Sequence, residues 1–339
     1  NGSYPLCPGF KSLHRHHPLV KSFRKGLRAL PVRDGSRVLL ACSGGPDSLG
    51  MLALFLSATP RPDLALGLAH VHHNLRGREA DRDEAAVHGL ASALSLPFYS
   101  LRLSGRPARG QSREEWARER RYAALEGLRA DEGWDLVATA HSLDDQAETL
   151  LLRIHRGCGL DGLAGILPVS GRVVRPVLDL TRAELGEAAE ACGFRPLRDS
   201  SNLSRRILRN RLRLDALPAL EAALPGLPRQ LAALSRRARL TRPEAEAPEV
   251  AALEGDTLYY PCETLIRLGE GAGLAALRQG LLAYRGNLRR IGERHLRALW
   301  ALAVASPGAT VALPGRLEGV REKGRVSVRP SAGRWRHQP

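Results

Sequence analysis

The stretch Val38–Ser48, VLLACSGGPDS, decides the fold. Its apolar first half, Val38–Cys42, predicts a buried strand, and the helical pattern that resumes at Leu49 predicts a helix directly after the glycines and the proline. Gly44 and Gly45 lack a Cβ atom, so the backbone can take a positive φ and approach a ligand closely. Free N–H groups and the helix dipole point at such a turn, which therefore predicts an anion site that holds phosphates.

The glycine turn is not of the Walker type. That consensus needs a lysine at the phosphates, and the chain has no lysine between Lys25 and Lys323. The turn reads SGGPDS instead, in which Ser43, Asp47 and Ser48 supply polar side chains. An ordinary tight strand–helix turn is the alternative for the glycine pair alone, but the whole hexapeptide favours a ligand-binding loop.

The composition indicates a globular protein with an acidic partner. The chain has 339 residues, 43% of them hydrophobic, which is enough for two or three domains and a sizeable core. Its formal net charge of +16 favours nucleic acid as the partner, and a generally basic protein without one is the alternative. The five cysteines form no CxxC pair, which fits a reducing cytoplasm, and no apolar run is long enough to span a membrane.

Strand and helix patterns alternate over residues 35–195 and predict an α/β fold with a mostly parallel, doubly wound sheet. The predicted strands are 38–42, 64–71, 98–103, 136–140 and 173–177. The predicted helices are 47–58, 78–95, 112–132, 143–155 and 181–193, the last opened by a capping box of Thr181 and Glu184. The loops 43–48, 70–76 and 141–145 directly follow strands, at the edge of the sheet where ligands bind.

We divide the chain into four segments. Residues 1–30 form an N-terminal extension, 31–200 a nucleotide-binding domain, 201–245 an arginine-rich helical linker region, and 246–339 a small, mostly helical C-terminal domain with terminal strands. Residues 250–305 have a helical pattern, and the tail from 310 to 330 reads as two short strands around a turn.

Three acids are predicted to converge at the start of the fourth helix. Ser142 is a good N-cap, Asp144 and Asp145 lie in the first turn, and Glu148 follows at a spacing that puts all three carboxylates on one face. Two such acids would normally only complement the helix dipole. A third, beside His141 at the ligand edge of the sheet, favours a site for Mg²⁺, for an amine substrate, or for both.

Two further clusters are less decisive. His70 opens a stretch of three imidazoles and an arginine after a strand, but the further ligands of a zinc site are not evident. Taken alone, these histidines would be loop or core residues, whereas their position next to the glycine loop favours contact with a nucleotide. Arg118 and Arg121 are three residues apart on one helix face, and their spacing alone favours a solvated, salt-bridged helix.

Together these clusters closely resemble the bacterial tRNA(Ile)-lysidine synthetases of the ATP-pyrophosphatase, or PP-loop, superfamily. SGGPDS at 43–48 marks only the superfamily, whereas TAHSLDDQAET at 139–149 and DSSNLSRRILRNRLR at 199–213 are more specific. The other matching stretches are HVHHNLR at 70–76, RERRY at 118–122, RGCGLDGLAGI at 156–166, Arg175–Pro176 and LPAL at 217–220. Ser142 and Pro46 depart from the family pattern, which has a second histidine and an apolar residue there.

The resemblance implies an ATP- and Mg²⁺-dependent ligase that modifies the wobble cytidine of the isoleucine tRNA with a CAU anticodon. The C2 oxygen of the cytidine would attack the α phosphate of ATP and release pyrophosphate. The amine of free L-lysine would then displace AMP and leave lysidine. The implied enzyme is cytoplasmic and has no membrane partner, and the resemblance leaves a homodimer open.

The resemblance also implies roles for individual residues. ATP would contact Ala41, Ser43, Gly44, Gly45, Pro46, Asp47, Ser48 and His70. Catalysis would depend on Asp47, Arg118, His141, Asp144, Asp145 and Glu148. Asp47 with Mg²⁺ would stabilise the leaving pyrophosphate, Arg118 the charge at the α phosphate, and His141 would orient substrate or relay a proton. The tRNA would be held by the C-terminal domain and by Arg205, Arg206, Arg209, Asn210, Arg211 and Arg213.

Three other functions are less well supported by the residues. A tRNA 2-thiolation enzyme of the same superfamily would need cysteines for sulfur transfer or for an iron–sulfur cluster, and there is no CxxC pair. An amidotransferase-type synthetase would leave the arginine-rich region unexplained. The intact acids Asp47, Asp144 and Asp145 argue against an RNA-binding module without catalysis.

Overall fold

The computed structural model describes residues 13, 17–58, 64–72, 78–105, 107, 112–197, 204–205, 207–240, 251–286, 288 and 290–331. The chain forms two compact units, one of Asn1–Leu152 with Gly165–Ser235 and one of Arg153–Ala164 with Arg236–Pro339. The four-segment division of the chain stays a prediction. Among the described residues, no helix is both long enough and apolar enough to cross a bilayer.

A six-stranded sheet forms the centre of the first unit. Its strands are β1 (Arg37–Ala41), β2 (Ala65–His72), β3 (Phe98–Arg102), β4 (Leu136–Ala138), β5 (Val169–Ser170) and β6 (Val173–Val174), in the order β3-β2-β1-β4-β6-β5. Neighbouring strands are parallel except for β5, which is antiparallel to β6. The predicted α/β class with a mostly parallel sheet is therefore confirmed.

Helices cover both faces of this sheet. The helices up to residue 191 are α1 (Pro18–Arg28), α2 (Pro46–Ala58), α3 (Arg78–Ala93), α4 (Arg113–Asp131), α5 (Leu143–His155), α6 (Leu160–Leu163) and α7 (Arg182–Ala191), of which α6 belongs to the second unit. Val38 and Leu40 of β1 are buried in one hydrophobic core and Leu39 in another. This alternation is that of a strand packed on both sides.

Close packing of α2 against α7 positions residues of the site. At Gly50 of α2, an added Cβ would lie 2.3 Å from the carbonyl oxygen of Leu185 in α7, so a side chain would push the helices apart. Because Asp47 opens α2 and Arg182 opens α7, this contact places an acid and an arginine side by side.

An arginine-rich helical segment ends the first unit. It consists of α8 (Leu208–Arg211), a π-helical turn (Leu212–Ala216), α9 (Leu217–Ala223) and α10 (Leu227–Leu240), which continues into the second unit. Arg209 lies in α8 and Arg213 in the π-helical turn. The two residues are four apart, so their side chains lie on the same side of the helical segment.

The second unit contains a five-stranded antiparallel sheet. Its elements are β7 (Ala252–Glu254), β8 (Thr257–Pro261), α11 (Cys262–Arg285), α12 (Glu293–Val304), β9 (Thr310–Leu313), β10 (Leu317–Glu322) and β11 (Arg325–Pro330), with strand order β7-β8-β11-β10-β9. The helical prediction was wrong at β7 and β8, and the tail forms three strands rather than two. Tyr260 of β8 is buried and donates a hydrogen bond to the Leu277 carbonyl at 3.0 Å, so tertiary packing decides this strand.

Candidate active site

The candidate site lies at the carboxyl ends of β1 and β4. From these two neighbouring strands the chain continues in opposite directions, to β2 on one side and to β6 on the other. Such a reversal opens a crevice in which ligands bind in doubly wound sheets. The predicted loop 43–48 follows β1 and the predicted acidic helix follows β4, so the two main sequence motifs lie at the same crevice.

Gly44 shapes the loop after β1. Its φ is +80°, and an added Cβ would lie 2.4 Å from Cδ1 of Leu197. The Gly44 carbonyl accepts a hydrogen bond from the Leu197 backbone N–H at 2.9 Å. The Ser48 hydroxyl donates to the Gly45 carbonyl at 2.9 Å and lies 3.3 Å from the Ser43 hydroxyl. The loop is therefore held by its own polar groups at the start of α2, which begins at Pro46.

His70 lies beside this loop, as predicted. The ring is buried at the end of β2, and its Nδ1 donates a hydrogen bond to the Cys42 carbonyl at 3.0 Å. Burial lowers the pKa of His70, so the imidazole is neutral at pH 7 and its Nε2 is an acceptor. Ala41 ends β1 next to it. Residues 73–76 of the predicted histidine stretch lie outside the described residues.

Asp47 has a carboxylate oxygen that the described residues leave unsatisfied. Oδ2 lies 3.3 Å from Nε of Arg182, whereas Oδ1 is buried without a hydrogen-bond partner among those residues. Burial raises the pKa of Asp47 to about 6, although Arg182 acts in the opposite direction. A buried, unpaired carboxylate oxygen at a phosphate-type loop fits Mg²⁺, which prefers oxygen ligands from one or two carboxylates together with phosphates.

A second possible metal group lies at the end of β2, two residues beyond His70. Among the described residues, the His72, Asp81 and Glu84 ligand atoms are the one set of three that come within 4.8 Å of one another. Arg102 already pairs with both acids, at 3.5 Å from Asp81 and 2.8 Å from Glu84. Because this guanidinium neutralises the acids, we assign no metal there.

Three arginines converge on the acids of α5. Glu148 is fully buried, and its carboxylate lies 2.8 Å from Nε of Arg209 and 2.7 Å from Nε of Arg213. The terminal nitrogens of Arg182 and Arg213 each lie 3.2 Å from Oδ1 of Asp145. A carboxylate buried as deeply as Glu148 requires such partners, since its uncompensated charge would be strongly destabilising.

Ser142 caps α5, as predicted. Its hydroxyl accepts a hydrogen bond from the Asp145 backbone N–H at 3.3 Å, and its own backbone N–H donates to Oδ2 of Asp145 at 3.0 Å. Asp145 therefore holds the start of the helix with one oxygen and the arginines with the other. This cap aims Asp145 and Glu148 into the crevice.

Arg182 is the functional candidate that the sequence analysis missed. Its guanidinium contacts Asp47, Asp145 and Glu148 at 3.3, 3.2 and 3.4 Å, and its backbone N–H donates to Asp144 at 2.7 Å. It thus joins the loop acid to all three acids of α5. The predicted capping box of Thr181 and Glu184 is present at the start of α7. It marked Arg182 as the first residue of a helix but gave no sign of its contacts.

His141 lies in a basic environment. Its Nδ1 is 3.0 Å from the Thr139 hydroxyl. Burial and the charges of Arg175, Arg118 and Arg121 hold the pKa of His141 well below its usual range, so the ring is neutral at pH 7. The predicted Arg118 therefore acts on the same part of the site as His141.

The residues predicted to hold tRNA are divided between two environments. Arg209 and Arg213 lie against the acids of α5, and the Asn210 amide is buried and donates to the Ser204 carbonyl at 3.0 Å. Arg205 is exposed and pairs with Asp215 at 3.1 Å, and Arg211 is also exposed. Arg206 lies outside the described residues. Contact of these residues with tRNA stays a prediction.

Comparisons with known proteins point to one family. A family model described as "PP-loop domain" matches residues 17–220. A tRNA(Ile)-lysidine synthase from Dehalococcoides mccartyi is 36% identical over 304 residues, which are 84% of this chain and 64% of that protein. Another, from Thermobifida fusca, is 36% identical over 318 residues, 90% of this chain and 94% of that protein. The chain thus spans less than two thirds of the first relative and nearly all of the second.

The fold comparison agrees at a coarser level. A solved U34-tRNA thiolase from Methanococcus maripaludis superposes with a TM-score of 0.57 over 68% of this chain and 82% of that one, at 18% identity. This likeness shows a shared fold. The match to the PP-loop model, the extent of the sequence relatives and the motifs at 43–48 and 139–149 show that the chain belongs to the tRNA(Ile)-lysidine synthase family of PP-loop proteins.

Proposed function

We propose that the protein joins free L-lysine to C2 of the wobble cytidine in the isoleucine tRNA with a CAU anticodon, through an adenylated tRNA formed from ATP. The observation that carries the proposal is the contact network of Arg182, which links the acid of the phosphate-type loop to the acids of α5. Besides a surface for tRNA, the reaction requires a site for the nucleotide and a site for the amine. The loop after β1 would be the first of these and the buried acids of α5 the second.

The loop after β1 is the proposed ATP site. Free N–H groups at the start of α2 and the polar groups of Ser43 and Ser48 would bind the phosphates. Asp47 would hold Mg²⁺ with its unpaired oxygen, and the ion would supply neutralisation of the charge on the departing pyrophosphate. Ala41 and His70 would lie against the rest of the nucleotide.

Arg118 and His141 are proposed to act at the reacting atoms. Arg118 would stabilise charge at the α phosphate. The amine of lysine is protonated in water at pH 7, with a pKa of about 10.4, and must lose a proton before or as it attacks. His141 is neutral, and its ring is oriented by the hydrogen bond to Thr139, so it would orient the amine or relay that proton.

The acids of α5 are proposed to bind the lysine ammonium. In the structure Asp145 and Glu148 are already paired with guanidinium groups, which supports a site for a nitrogen cation. A substrate ammonium would compete with an arginine for the same oxygens. Asp144, which also contacts Arg182, would take part in the same exchange.

The tRNA contacts, the cytoplasmic location and a homodimer complete the proposal. The tRNA backbone would be bound by the C-terminal domain and by Arg205, Arg206, Asn210 and Arg211. Arg209 and Arg213 would contribute once a bound ligand has displaced them from the acids of α5. The formal net charge of +16 supports such a partner.

Thiolation of tRNA is the alternative function, and it is less supported. The similar thiolase structure shows the fold alone. Among the described residues, Cys42, Cys158, Cys192 and Cys262 are free thiols. Cys42 is buried, and burial raises the pKa of its thiol, so it is not activated as the thiolate that sulfur transfer would need.

The test is incorporation of labelled lysine. The protein, ATP, Mg²⁺ and the CAU-anticodon isoleucine tRNA should yield labelled tRNA with one AMP and one pyrophosphate for each lysine. The same tRNA with uridine at the wobble position should accept none, and Asp47→Ala should abolish pyrophosphate release with little change in tRNA affinity. Pyrophosphate release without lysine in the tRNA would contradict the proposal.

A further inference from the structure

Among the described residues, Arg175 is a buried cation without a carboxylate partner. It follows β6 directly, at the same edge of the sheet as the crevice, and is 6% exposed. One terminal nitrogen donates to the Leu167 carbonyl at 2.6 Å. Within the part of the chain that the structure describes, Arg175 forms no ion pair with an acid, and its Nε is buried without a hydrogen-bond partner. Such a group is costly to bury unless something satisfies it.

The Tyr122 hydroxyl is a second unsatisfied group in the same surroundings. Its oxygen is buried, and no described residue meets it at full hydrogen-bond geometry, although the Arg175 side chain lies near enough as a donor to lower its pKa. The guanidinium carbons of Arg118 and Arg121 lie 5.3 and 5.5 Å from the centre of its ring. Burial raises the pKa of Tyr122, but the charges of Arg118, Arg175 and Arg121 outweigh burial and lower it. Tyr122 also packs against the hydrophobic cluster that contains Val173, two residues before Arg175, so the two side chains share one region of the unit.

Arg175 and His141 follow the neighbouring strands β6 and β4. The Thr139 backbone N–H, two residues before His141, donates to the Val174 carbonyl at 3.0 Å, and Arg175 directly follows Val174. Arg175, Arg118 and Arg121 act on the imidazole as they act on Tyr122. The acids of α5, by contrast, already have three arginines as partners. The crevice thus has an acidic part, which suits an ammonium, and a basic part around Arg175 and Tyr122, which suits an anion.

We propose that Arg175 and the Tyr122 hydroxyl form an oxyanion subsite next to His141 that binds an oxyanion of a substrate. A guanidinium Nε–H and a phenol O–H are both donors, and a carboxylate or a phosphate oxygen would satisfy them with charge-assisted hydrogen bonds. The inference rests on the proposed function, which brings two such groups to the crevice. They are the α-carboxylate of free lysine and the α phosphate of the adenylated tRNA.

The experiment compares two amines in two variants. Arg175→Met removes the charge, and Tyr122→Phe removes only the hydroxyl and keeps the ring against Arg118 and Arg121. The matched controls are Arg172→Met, at an exposed turn, and Tyr99→Phe, whose hydroxyl donates to the exposed Glu132. The amines are lysine and 1,5-diaminopentane, which is lysine without its carboxylate.

The measurements distinguish a subsite that binds the lysine carboxylate from one that binds the α phosphate. If it binds the lysine carboxylate, both variants raise KM for lysine at least tenfold and leave kcat/KM for 1,5-diaminopentane within twofold of the wild type. If it binds the α phosphate, both variants slow single-turnover pyrophosphate release at least tenfold before any amine is added, and they affect both amines equally. Arg175→Lys, which keeps the charge without the fork of donors, should recover part of the loss.

Circular dichroism and the melting temperature show whether both variants are folded. The proposal is overturned if the folded variants stay within twofold of the wild type in KM for lysine, in kcat/KM for 1,5-diaminopentane and in the rate of pyrophosphate release. It is also overturned if Tyr122→Phe behaves like Tyr99→Phe. If Arg175→Met does not fold, Tyr122→Phe and Arg175→Lys decide the question. Failure of the proposed function is a separate outcome, because the wild type and both control variants would then transfer no lysine.

Discussion

At the scale of single residues, Asp47 shows how a site residue can reduce the stability of the fold. Its carboxyl has a pKa of about 6 in the folded protein because of burial, against an ordinary value of about 3.9 in an unfolded chain. Between pH 4 and 6 the unfolded chain therefore loses a proton that the folded protein keeps. The free energy of unfolding contributed by this group consequently falls as pH rises through that window.

The substitution Asp47→Asn should remove this penalty. Above pH 6 the variant should unfold with a free energy about 1 to 3 kcal/mol higher than the wild type, and below pH 4 the difference should vanish. Urea unfolding between pH 4 and 8 with a chelator present measures it. Asp131→Asn, at an exposed position, is the control. A difference that does not change with pH would show that burial of the Asp47 charge is not its cause.

The sequence predicted the acids of the site better than their partners. Asp144, Asp145 and Glu148 share one local spacing, and the structure joins all three to Arg182. Arg182 itself lies 135 residues from Asp47 in the chain, and no local pattern distinguishes it from the many other arginines. Its role depends on the packing of α2 against α7, which only the tertiary structure supplies.

At the scale of elements, the loop between β1 and α2 requires a glycine for two reasons. The backbone there is left-handed, and a neighbouring side chain leaves no room for a Cβ atom. Gly44 has both constraints, a φ of +80° and the nearby Leu197 side chain. Gly35 has a similar φ of +82°, but no described residue lies within 4 Å of an added Cβ there. The two glycines therefore separate backbone strain from steric overlap.

Replacement of each glycine by alanine should reveal the difference. Gly35→Ala should lower the free energy of unfolding by about 1 kcal/mol, and Gly44→Ala by about 1 to 2 kcal/mol more, with weaker ATP binding. Urea unfolding and ATP titration measure the two effects. Adding Leu197→Ala to Gly44→Ala should recover part of the ATP affinity by making room for the methyl group. Equal losses from both glycine variants would mean that Leu197 does not restrict the loop.

Elements were predictable where their periodicity was long enough to read. The strands at 38–42, 64–71 and 98–103 and the helices between them are present with shifts of a few residues at their ends. β5 has two residues and β7 has three, too few for an alternating pattern to emerge. β8 has alternating burial, but α11 follows it directly at Cys262. The strong helical pattern of α11 concealed the boundary between the strand and the helix.

At the scale of the whole molecule, the net charge of +16 predicts tRNA binding that weakens as salt is added. The structure distinguishes which arginines should contribute. Arg211 is exposed, and the pair of Arg205 with Asp215 is exposed as well, whereas Arg209 is paired with the fully buried Glu148. Arg205 and Arg211 should therefore account for more of the salt dependence than Arg209 does.

The double variant Arg205→Gln and Arg211→Gln should flatten the plot of log affinity against log salt by about one unit for each phosphate that it no longer neutralises. Filter binding of the isoleucine tRNA at several salt concentrations measures the slope. Arg28→Gln, at the exposed end of α1, is the control. An unchanged slope in the double variant would place the tRNA-binding surface on other residues.

The ion-pair network around Glu148 has a consequence for how the ligands depend on one another. It joins the three carboxylates of Asp47, Asp145 and Glu148 to the three guanidinium groups of Arg182, Arg209 and Arg213, so their charges cancel before any ligand arrives. On the proposed function, an ammonium bound to these acids would displace an arginine, and the displaced charge would then need a new anion. A phosphate of the tRNA can supply it, so amine and RNA would bind cooperatively, each raising the affinity for the other by the same factor.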